Sequence, residues 1–253
     1  MIIGSKLYRM ATCHDSMEWA KEHLATAPDG SVFLADKLTR AKGRGKRVWT
    51  FYEGQLAITL LLKPRVLSGF SSEDLPIRIN QLNMAISLGI YDLLKEYGVG
   101  IKWPNDFIFQ HKKVAGILFH LVWENGLPVG LICGFAINVN NLFEESDELF
   151  EIATSLNKIT GHKIEMRPFY KNLLLAIDTY YKKWLSGNFD EIYKLWRNAQ
   201  IYMGKPISIN QKDGLVCSGR MMQVLPNGDM LLIDNLGKQK IVSFYMVDQI
   251  AVK

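Results

Sequence analysis

The run Val99-Gly100-Ile101-Lys102-Trp103-Pro104-Asn105-Asp106 leaves the fold little freedom. Val99 to Trp103 reads as a buried strand, and Pro104, which has no N–H to give to a sheet ladder, stops it at its edge. Asn105 and Asp106 are therefore delivered at a strand end, where α/β sheets hold their ligands. Phe107 to Phe109 is a second short run, Gln110-His111-Lys112 a polar turn and Lys113 to Trp123 a third run, together a hairpin pattern. Such a hairpin returns Lys113 to the Asn105/Asp106 corner. The Lys102 and Lys113 amines, an amide and a carboxylate then converge at the mouth of an apolar site, a combination suited to an anion or a nucleotide.

The rest of the chain reads as strands and amphipathic helices around this hairpin. Residues 1–13 hold a short mixed apolar run, an expected edge strand. Asp15 and Glu18 read as N-cap and return partner of a capping box, opening a helix that runs to about Ala25. Ser31 to Ala35 and Gln55 to Lys63 are expected strands. Between them, Asp36 to Trp49 sets Gly43 and Gly45 among Lys and Arg, as in a mobile cationic loop able to fold over an anion. Leu75 to Tyr97 has helical spacing of Ile79, Leu82, Ile86, Ile90 and Leu94, with Gly98 as its stop, and reads as a core helix without chemistry of its own. Val129 to Val139 is a further strand; Glu144 to Lys158, Pro168 to Ser186 and Asn188 to Ala199 read as helices.

From about Ile201 the character changes. Lys205 to Asn210, Gly214 to Gln223, Met230 to Leu232 and Gln239 to Phe244 are short β-like runs broken by Gly204, Asp213-Gly214, Asn227-Gly228 and Asn235-Leu236-Gly237. The expected class is α+β: a mixed β-sheet flanked by helices over residues 1–200, then a small β unit over 201–253.

Composition narrows the function classes. At 253 residues, 48% hydrophobic and 22% charged, the chain has material for a full core. No apolar stretch approaches the roughly 20 residues of a membrane helix, and MIIGSKLYRM lacks a signal-peptide apolar region; no membrane role is expected. Cys13, Cys133 and Cys217 are scattered without metal spacing and read as reduced thiols of a cytoplasmic protein, with zinc not expected. The net charge of +5 is dispersed apart from the Lys37 to Arg47 cluster, which favours acidic ligands over a nucleic-acid footprint. No segment precedes the first helix start that would hold a DNA-reading helix-turn-helix, so no nucleic-acid partner is expected.

K-W-P-N-D at 102–106 followed by K-V-A-G-I-L at 113–118 resembles the paired signature of biotin protein ligases, K-W-P-N-D and K-[VL]-[AG]-G-I-L. The family's Q-T-x-G-[RK]-G-R-x-G-x-x-W aligns without gaps from Thr39 to Trp49, with Lys42, Gly43, Arg44 and Trp49 in agreement. Gly134-Phe135-Ala136-Ile137-Asn138-Val139 is similar to G-[IF]-G-[IL]-N-[VL], and the C-terminal runs resemble the small SH3-like β-barrel that closes many such ligases. The resemblance covers essentially the whole chain. It implies the class II synthetase-like catalytic fold of biotin and lipoate ligases, in the monofunctional form without an N-terminal DNA-binding domain.

The implied activity is ATP- and magnesium-dependent activation of biotin as biotinyl-5′-AMP, then transfer to a lysine of the biotin carboxyl carrier domain of a biotin-dependent carboxylase. By resemblance, Lys113, Arg44 and Asp106 are the catalytic candidates. Ser16, Leu38, Lys42, Gly43, Arg44, Lys113 and Gly116 would contact biotin. Arg44, Trp49, Lys102, Asn105, Lys113 and Asn138 would contact ATP, Asn138 helping to read its base. No metal site is fixed by the protein alone, beyond an Asp106 contact to Mg2+. The 42–47 loop would order over the intermediate and keep water out.

Departures from the family pattern gather on the side that reads biotin's ring. Leu38 replaces the Gln that hydrogen-bonds the ring, Asp15 stands where the family has Ser, and Ser16 where it has Thr. Ala41, Lys46 and Ala136 each replace a Gly. A site built to bond a polar ring loses discrimination when a partner becomes apolar. A lipoate-type ligase acting on another acid, or a catalytically poor small-molecule binding protein, therefore stays open, as do the acceptor and a homodimeric state.

Overall fold

The computed structural model describes residues 1–45, 47–63 and 74–252; Lys46 lies outside the described residues. β1 (Leu7–Cys13) and β2 (Ser31–Leu38) run parallel, joined through α1 (Ser16–Glu22). Asp15 caps α1, its Oδ1 accepting from the backbone N–H groups of Met17 and Glu18 at 2.9 and 3.3 Å. The return half of the expected capping box is replaced: Glu18 pairs with Lys42 at 2.7 Å, and α1 ends at Glu22, short of Ala25. β3 (Ala41–Lys42) and β4 (Val48–Trp49) form a two-stranded ladder, so the expected cationic loop is the tip of a small hairpin. β5 (Gln55–Leu62) is buried throughout, and α2 (Asp74–Leu94) continues through a 3-10 turn, Lys95–Tyr97, to Gly98 at φ 73°, the expected stop.

β6 (Gly100–Lys102), β7 (Asp106–Phe109), β8 (Lys112–Glu124) and β9 (Leu127–Asn138) complete a seven-stranded sheet in the order β1-β2-β5-β9-β8-β7-β6. Only the β1–β2 pair is parallel, so the sheet is mixed, as expected. The segment 144–158, expected as a helix, forms one only at α3 (Leu156–Thr160). Two causes are visible. Ser155 accepts from the Lys158 N–H and so fixes the helix start. Before it, Lys113 donates to the Ile152 carbonyl at 2.8 Å and Thr154 to the Lys113 carbonyl at 3.0 Å, a bridge at Ala153 that pins the end of a run of turns to β8. Tertiary pairing overrides local helix propensity there.

α4 (Met166–Leu185) and α5 (Phe189–Asn198) match the expected helices within two residues. α2, α4 and α5 share one core with one face of the sheet, including Ile58, Leu60, Ile86, Phe135, Ile177 and Trp196. α1 covers part of the opposite face, where Ala20, Phe33, Leu61 and Ile132 pack. The helices therefore flank the sheet asymmetrically, and α1 leaves room beside it.

The second sheet comprises β10 (Pro206–Gln211), β11 (Val216–Val224), β12 (Met230–Ile233), β13 (Gln239–Val242) and β14 (Val247–Val252) in the order β13-β12-β11-β10-β14. It is antiparallel throughout, the small SH3-like unit expected, with β14 an addition to the expected strands. Two bonds fasten its β11–β12 turn to the larger sheet's surroundings: Asn80 Nδ2 donates to the Asn227 carbonyl at 2.7 Å and Trp103 Nε1 to the Gly228 carbonyl at 3.0 Å. No helix among the described residues is long and apolar enough to cross a membrane.

Candidate functional site

Strand register builds the floor of the site. Lys102 stands opposite Asp106, Asp106 opposite Gly116, Gly116 opposite Ala136, and Ala136 opposite Ala57. A row that starts with charge thus continues as small side chains across the sheet, and space opens above it. The neighbouring row, Leu118, Gly134 and Thr59, ends under α1. There an added Cβ on Gly134 would stand 2.8 Å from Met17 Sδ, so the glycine admits the helix. Over these rows lies a cavity of about 490 Å³.

The register also explains how Lys113 enters the cavity. β7 and β8 pair Phe107 with Ala115 but Ile108 with Lys113, a bulge that leaves Val114 as the extra residue. Side chains three apart on β8 now share a face: an added Cβ on Gly116 would meet Lys113 Nζ at 3.0 Å. The turn beyond uses Gln110 and His111 at φ 44° and 73°, the left-handed geometry of a tight two-residue hairpin, without the usual Gly or Asn. The Lys113 ammonium pairs with Asp106 Oδ1 at 2.6 Å and lies 5.2 Å from the centre of the Trp49 ring.

Of the residues singled out in the sequence, Ser16, Leu38, Lys42, Gly43, Arg44, Trp49, Lys102, Asn105, Asp106, Lys113 and Gly116 line this one cavity. Asn138 does not. It is buried one row further along the same face of the sheet, beyond Ala136, its Oδ1 accepting from Gln55 Nε2 at 2.7 Å and its Nδ2 donating to the Lys113 carbonyl at 3.3 Å. Gln55 in turn accepts from Trp49 Nε1 at 3.3 Å. Asn138 thereby links the Lys113 backbone directly, and the Trp49 indole through Gln55, into one bonded chain beside the cavity. Asn105 is half engaged: its Nδ2 donates to the Ile117 carbonyl at 2.7 Å, tying the strand end to β8. The trans-strand corner is completed by a cis peptide at Trp103–Pro104 and by Asn83 of α2, whose Nδ2 donates to the Pro104 carbonyl at 3.4 Å.

Positive charge concentrates at one end. Lys102, Lys113, Arg44 and Arg47 face the cavity there, with Asp106 and Asp248 as counter-charges. Burial pulls the Lys102 ammonium below its ordinary value, with the neighbouring Lys113 adding to the shift and Asp106 opposing it. Burial lowers Arg44 likewise, again against Asp106. Arg44 Nη2 donates to the Asp248 carbonyl at 2.8 Å, while Nη1 is shielded from solvent and has no hydrogen-bond partner among the described residues. A buried guanidinium nitrogen without an acceptor is costly in itself and is ready for an anionic one.

The sequence reading missed the small sheet's share of this wall. Asn210, Asp248, Gln249, Ile250 and Ala251 line the cavity, and Arg47 Nη2 reaches Asp248 Oδ1 at 2.7 Å. Val247 and Ile250 of β14 are both buried, but their spacing of three lacks the alternation of a strand, so the local pattern carried no strand signal there. Gln55 and Thr59 were also missed. They are the polar residues of the apolar run 55–62, and Thr59 Oγ1 meets Ser16 Oγ at 2.9 Å at the cavity's inner end.

The geometry can be set beside known proteins. A family model described as the biotin/lipoate A/B protein ligase family matches residues 10–138. The chain belongs to this family. A bifunctional ligase/repressor of Bacillus subtilis is 31% identical over 223 residues, covering 86% of this chain and 66% of that protein. The chain thus spans just under two thirds of that relative's length. A biotin–[acetyl-CoA-carboxylase] ligase of Paracoccus denitrificans is 26% identical over 73% of this chain and 77% of its own. Among solved structures, the Aquifex aeolicus biotin protein ligase in complex with biotin and ATP superposes with a TM-score of 0.82 at 26% identity, covering 98% of this chain and 100% of that one. The catalytic fold expected from the paired signature is therefore the one observed.

Proposed function

We propose that this chain is an ATP-dependent biotin protein ligase, with residues 1–200 binding the substrates and 201–253 closing the site. One observation carries the reading: a single cavity joins a cation cluster at Lys102, Lys113 and Arg44 to a floor of small residues running toward an inner end walled by α1. Two anions, a carboxylate and an α-phosphate, must be brought together for acid activation, and concentrated positive charge on a preorganised frame meets that demand. The relatives' printed activities support the same assignment.

In the proposed sequence the biotin carboxylate lies along the small-residue row with its charge at Lys113. A carboxylate oxygen attacks the α-phosphorus of ATP, the bond from that phosphorus to the bridging oxygen breaks, and pyrophosphate leaves. Lys113 holds carboxylate and phosphate at once, and Arg44 offers Nη1 to the phosphate oxygens as charge builds. The acceptor lysine's neutral amine then attacks the acyl carbon, AMP departs, and Asp106 helps take the amine proton. The 42–47 tip excludes water from the mixed anhydride.

Among the described residues no group of three His, Cys, Asp or Glu side chains could hold a metal, and Asp106 is already paired with Lys113. Mg2+ would enter with the nucleotide and supply neutralisation of phosphate charge; Asp106 would contact it only once Lys113 turns from that carboxylate to the substrate anions. The acceptor is a carboxyl carrier domain of a biotin-dependent carboxylase. Three free, buried cysteines support a reducing compartment, the cytoplasm.

The test is acid-dependent ATP–pyrophosphate exchange with biotin, lipoate and octanoate in parallel. Exchange with biotin alone, lowered at least about 100-fold by Lys113→Met in a folded protein, is the expected result. Undiminished exchange in that variant would remove Lys113 from the chemistry; exchange with another acid alone would change the substrate.

A further inference from the structure

Lys102 stands apart from the other cations of the cavity. Lys113 is paired with Asp106 at 2.6 Å, and Arg44 and Arg47 both reach Asp248. Among the described residues the Lys102 ammonium makes no hydrogen bond and no ion pair. Asp106 stands opposite it in the β6–β7 register but is spent on Lys113, while Lys113 and Arg47 repel it. What the ammonium does meet is an aromatic ring: Lys102 Nζ lies over Tyr202, 5.9 Å from the ring centre. A cation so placed is attracted by the quadrupole of the ring. Burial, with Asp106 adding to it, raises the Tyr202 phenol above its ordinary value, so an uncharged ring face and not a phenolate receives the ammonium.

Tyr202 is itself firmly held. It is buried and lies outside the cavity lining, in the connector between the two sheets. Ile101 N–H donates to the Ala199 carbonyl and Ile201 N–H to the Ile101 carbonyl, each at 3.0 Å, so the connector runs as a parallel partner of β6. Gly100 admits it, since an added Cβ there would stand 2.0 Å from Ile201 Cγ2. On the other side Gly204 N–H donates to the Met221 carbonyl at 2.7 Å and Met221 N–H to the Lys205 carbonyl at 3.0 Å, lacing the connector to β11. Lys205 brings a second ammonium to the same ring, at 5.8 Å. We propose that Tyr202 is a positioning residue for acid activation, its ring holding the otherwise unpaired Lys102 ammonium in the cavity, where that ammonium meets the phosphates of ATP. A lysine is a point charge on a flexible stem, and without the ring nothing fixes where this one points. The second sheet thus reaches the nucleotide through the connector as well as through Asp248. The proposal rests on the ligase reading for the phosphate contact of Lys102.

Three variants separate the ring face from the bulk of the side chain. Tyr202→Phe keeps the face and drops the hydroxyl, Tyr202→Leu removes the face, and Tyr202→pentafluorophenylalanine keeps the shape while cancelling the negative charge of the face. Biotin-dependent ATP–pyrophosphate exchange and calorimetry with ATP are run on the full chain, each variant with a melting curve. The Phe variant is expected to match wild type. The Leu and fluorinated variants should each raise the KM and Kd for ATP about 3- to 10-fold, with the biotin KM moving less than about twofold. In a Lys102→Met background Tyr202→Leu should add nothing further. Equal losses for ATP and biotin, a Phe variant as impaired as the Leu variant, or full additivity with Lys102→Met overturns the proposal. Where Tyr202→Leu does not fold, the fluorinated variant decides by the same criteria. A wild-type chain that shows no exchange with any acid fails the ligase reading instead, and ATP calorimetry on the same variants still judges Tyr202.

Discussion

Gly116→Ala isolates the position of the Lys113 amine from its identity. A Cβ on Gly116 would lie 3.0 Å from both Cε and Nζ of Lys113 and 3.4 Å from Trp49 Cζ3. Ordinary contacts between carbon atoms begin near 3.5 Å, so the end of Lys113 must withdraw by roughly 0.5 to 1 Å. Its 2.6 Å contact with Asp106 shows how little slack it has. A misplacement of about 1 Å at a positioned group costs on the order of 100-fold in rate. The expected loss in kcat/KM for biotin-dependent exchange is therefore about 10- to 100-fold, or ~1.4 to 2.7 kcal/mol in the barrier. Stability should hardly move: the neighbour that must give way is the far end of a flexible side chain, and Gly116 is not among the positive-φ glycines. The assay is exchange on Gly116→Ala, Lys113→Met and the double variant, each with a melting curve. If the glycine acts by protecting Lys113, its effect vanishes in the Lys113→Met background. Wild-type exchange in Gly116→Ala, or full additivity in the double variant, would refute the reasoning.

Gly89→Ala should lower the unfolding free energy by ~2 to 3 kcal/mol, because its Cβ would meet the Ile177 Cα at 2.5 Å and force α2 from α4; an unchanged denaturant midpoint would contradict this. Arg47→Ala breaks an exposed ion pair with Asp248 and should cost no more than about 1 kcal/mol of stability, while raising the ATP KM several-fold in exchange kinetics as the basic tip loses its hold. Lys102 carries a pH signature. Its folded pKa lies below the ordinary 10.5, so between the two values the unfolded chain holds a proton the folded chain has released, and stability rises with pH across that window. Lys102→Met should stabilise the ligand-free chain below the window and flatten the rise, read by urea unfolding at stepped pH. Burial pushes the Cys133 thiol well above its ordinary range and raises Cys13, so native protein should resist a thiol reagent at neutral pH and react fully once denatured.

The sequence made the central hairpin legible because its signals are local: a proline stop, a polar turn and an apolar run on either side. It placed Lys113 beside Asp106, and the structure has them in contact. The bulge at Val114 that aims Lys113 was not legible, because it depends on how two strands pair rather than on either strand's composition. A motif position marked Asn138 for the nucleotide; its bonds to Gln55 and to the Lys113 carbonyl depend on how three strands pair and were visible only in the fold. The lost helix over 144–154 was overruled by backbone bonds to Lys113, a partner about forty residues distant that no local pattern announces. Asp15 was read as a helix cap, and the structure has it as one; that its second oxygen would be shielded from solvent required the fold.

The bond from Arg44 to the Asp248 carbonyl joins positions 204 apart. A ribosome adding about 5 to 20 residues per second needs roughly 10 to 40 s to travel from one to the other. Throughout that interval the large sheet can assemble while Arg44 lacks its Asp248 partner, and one wall of the cavity is missing. A nascent chain, or one cut short before Val247, would bind its acid loosely and leave any activated form open to water. Because a strand made some 200 residues after the arginine supplies that wall, the cavity is complete only once the second sheet has been synthesised.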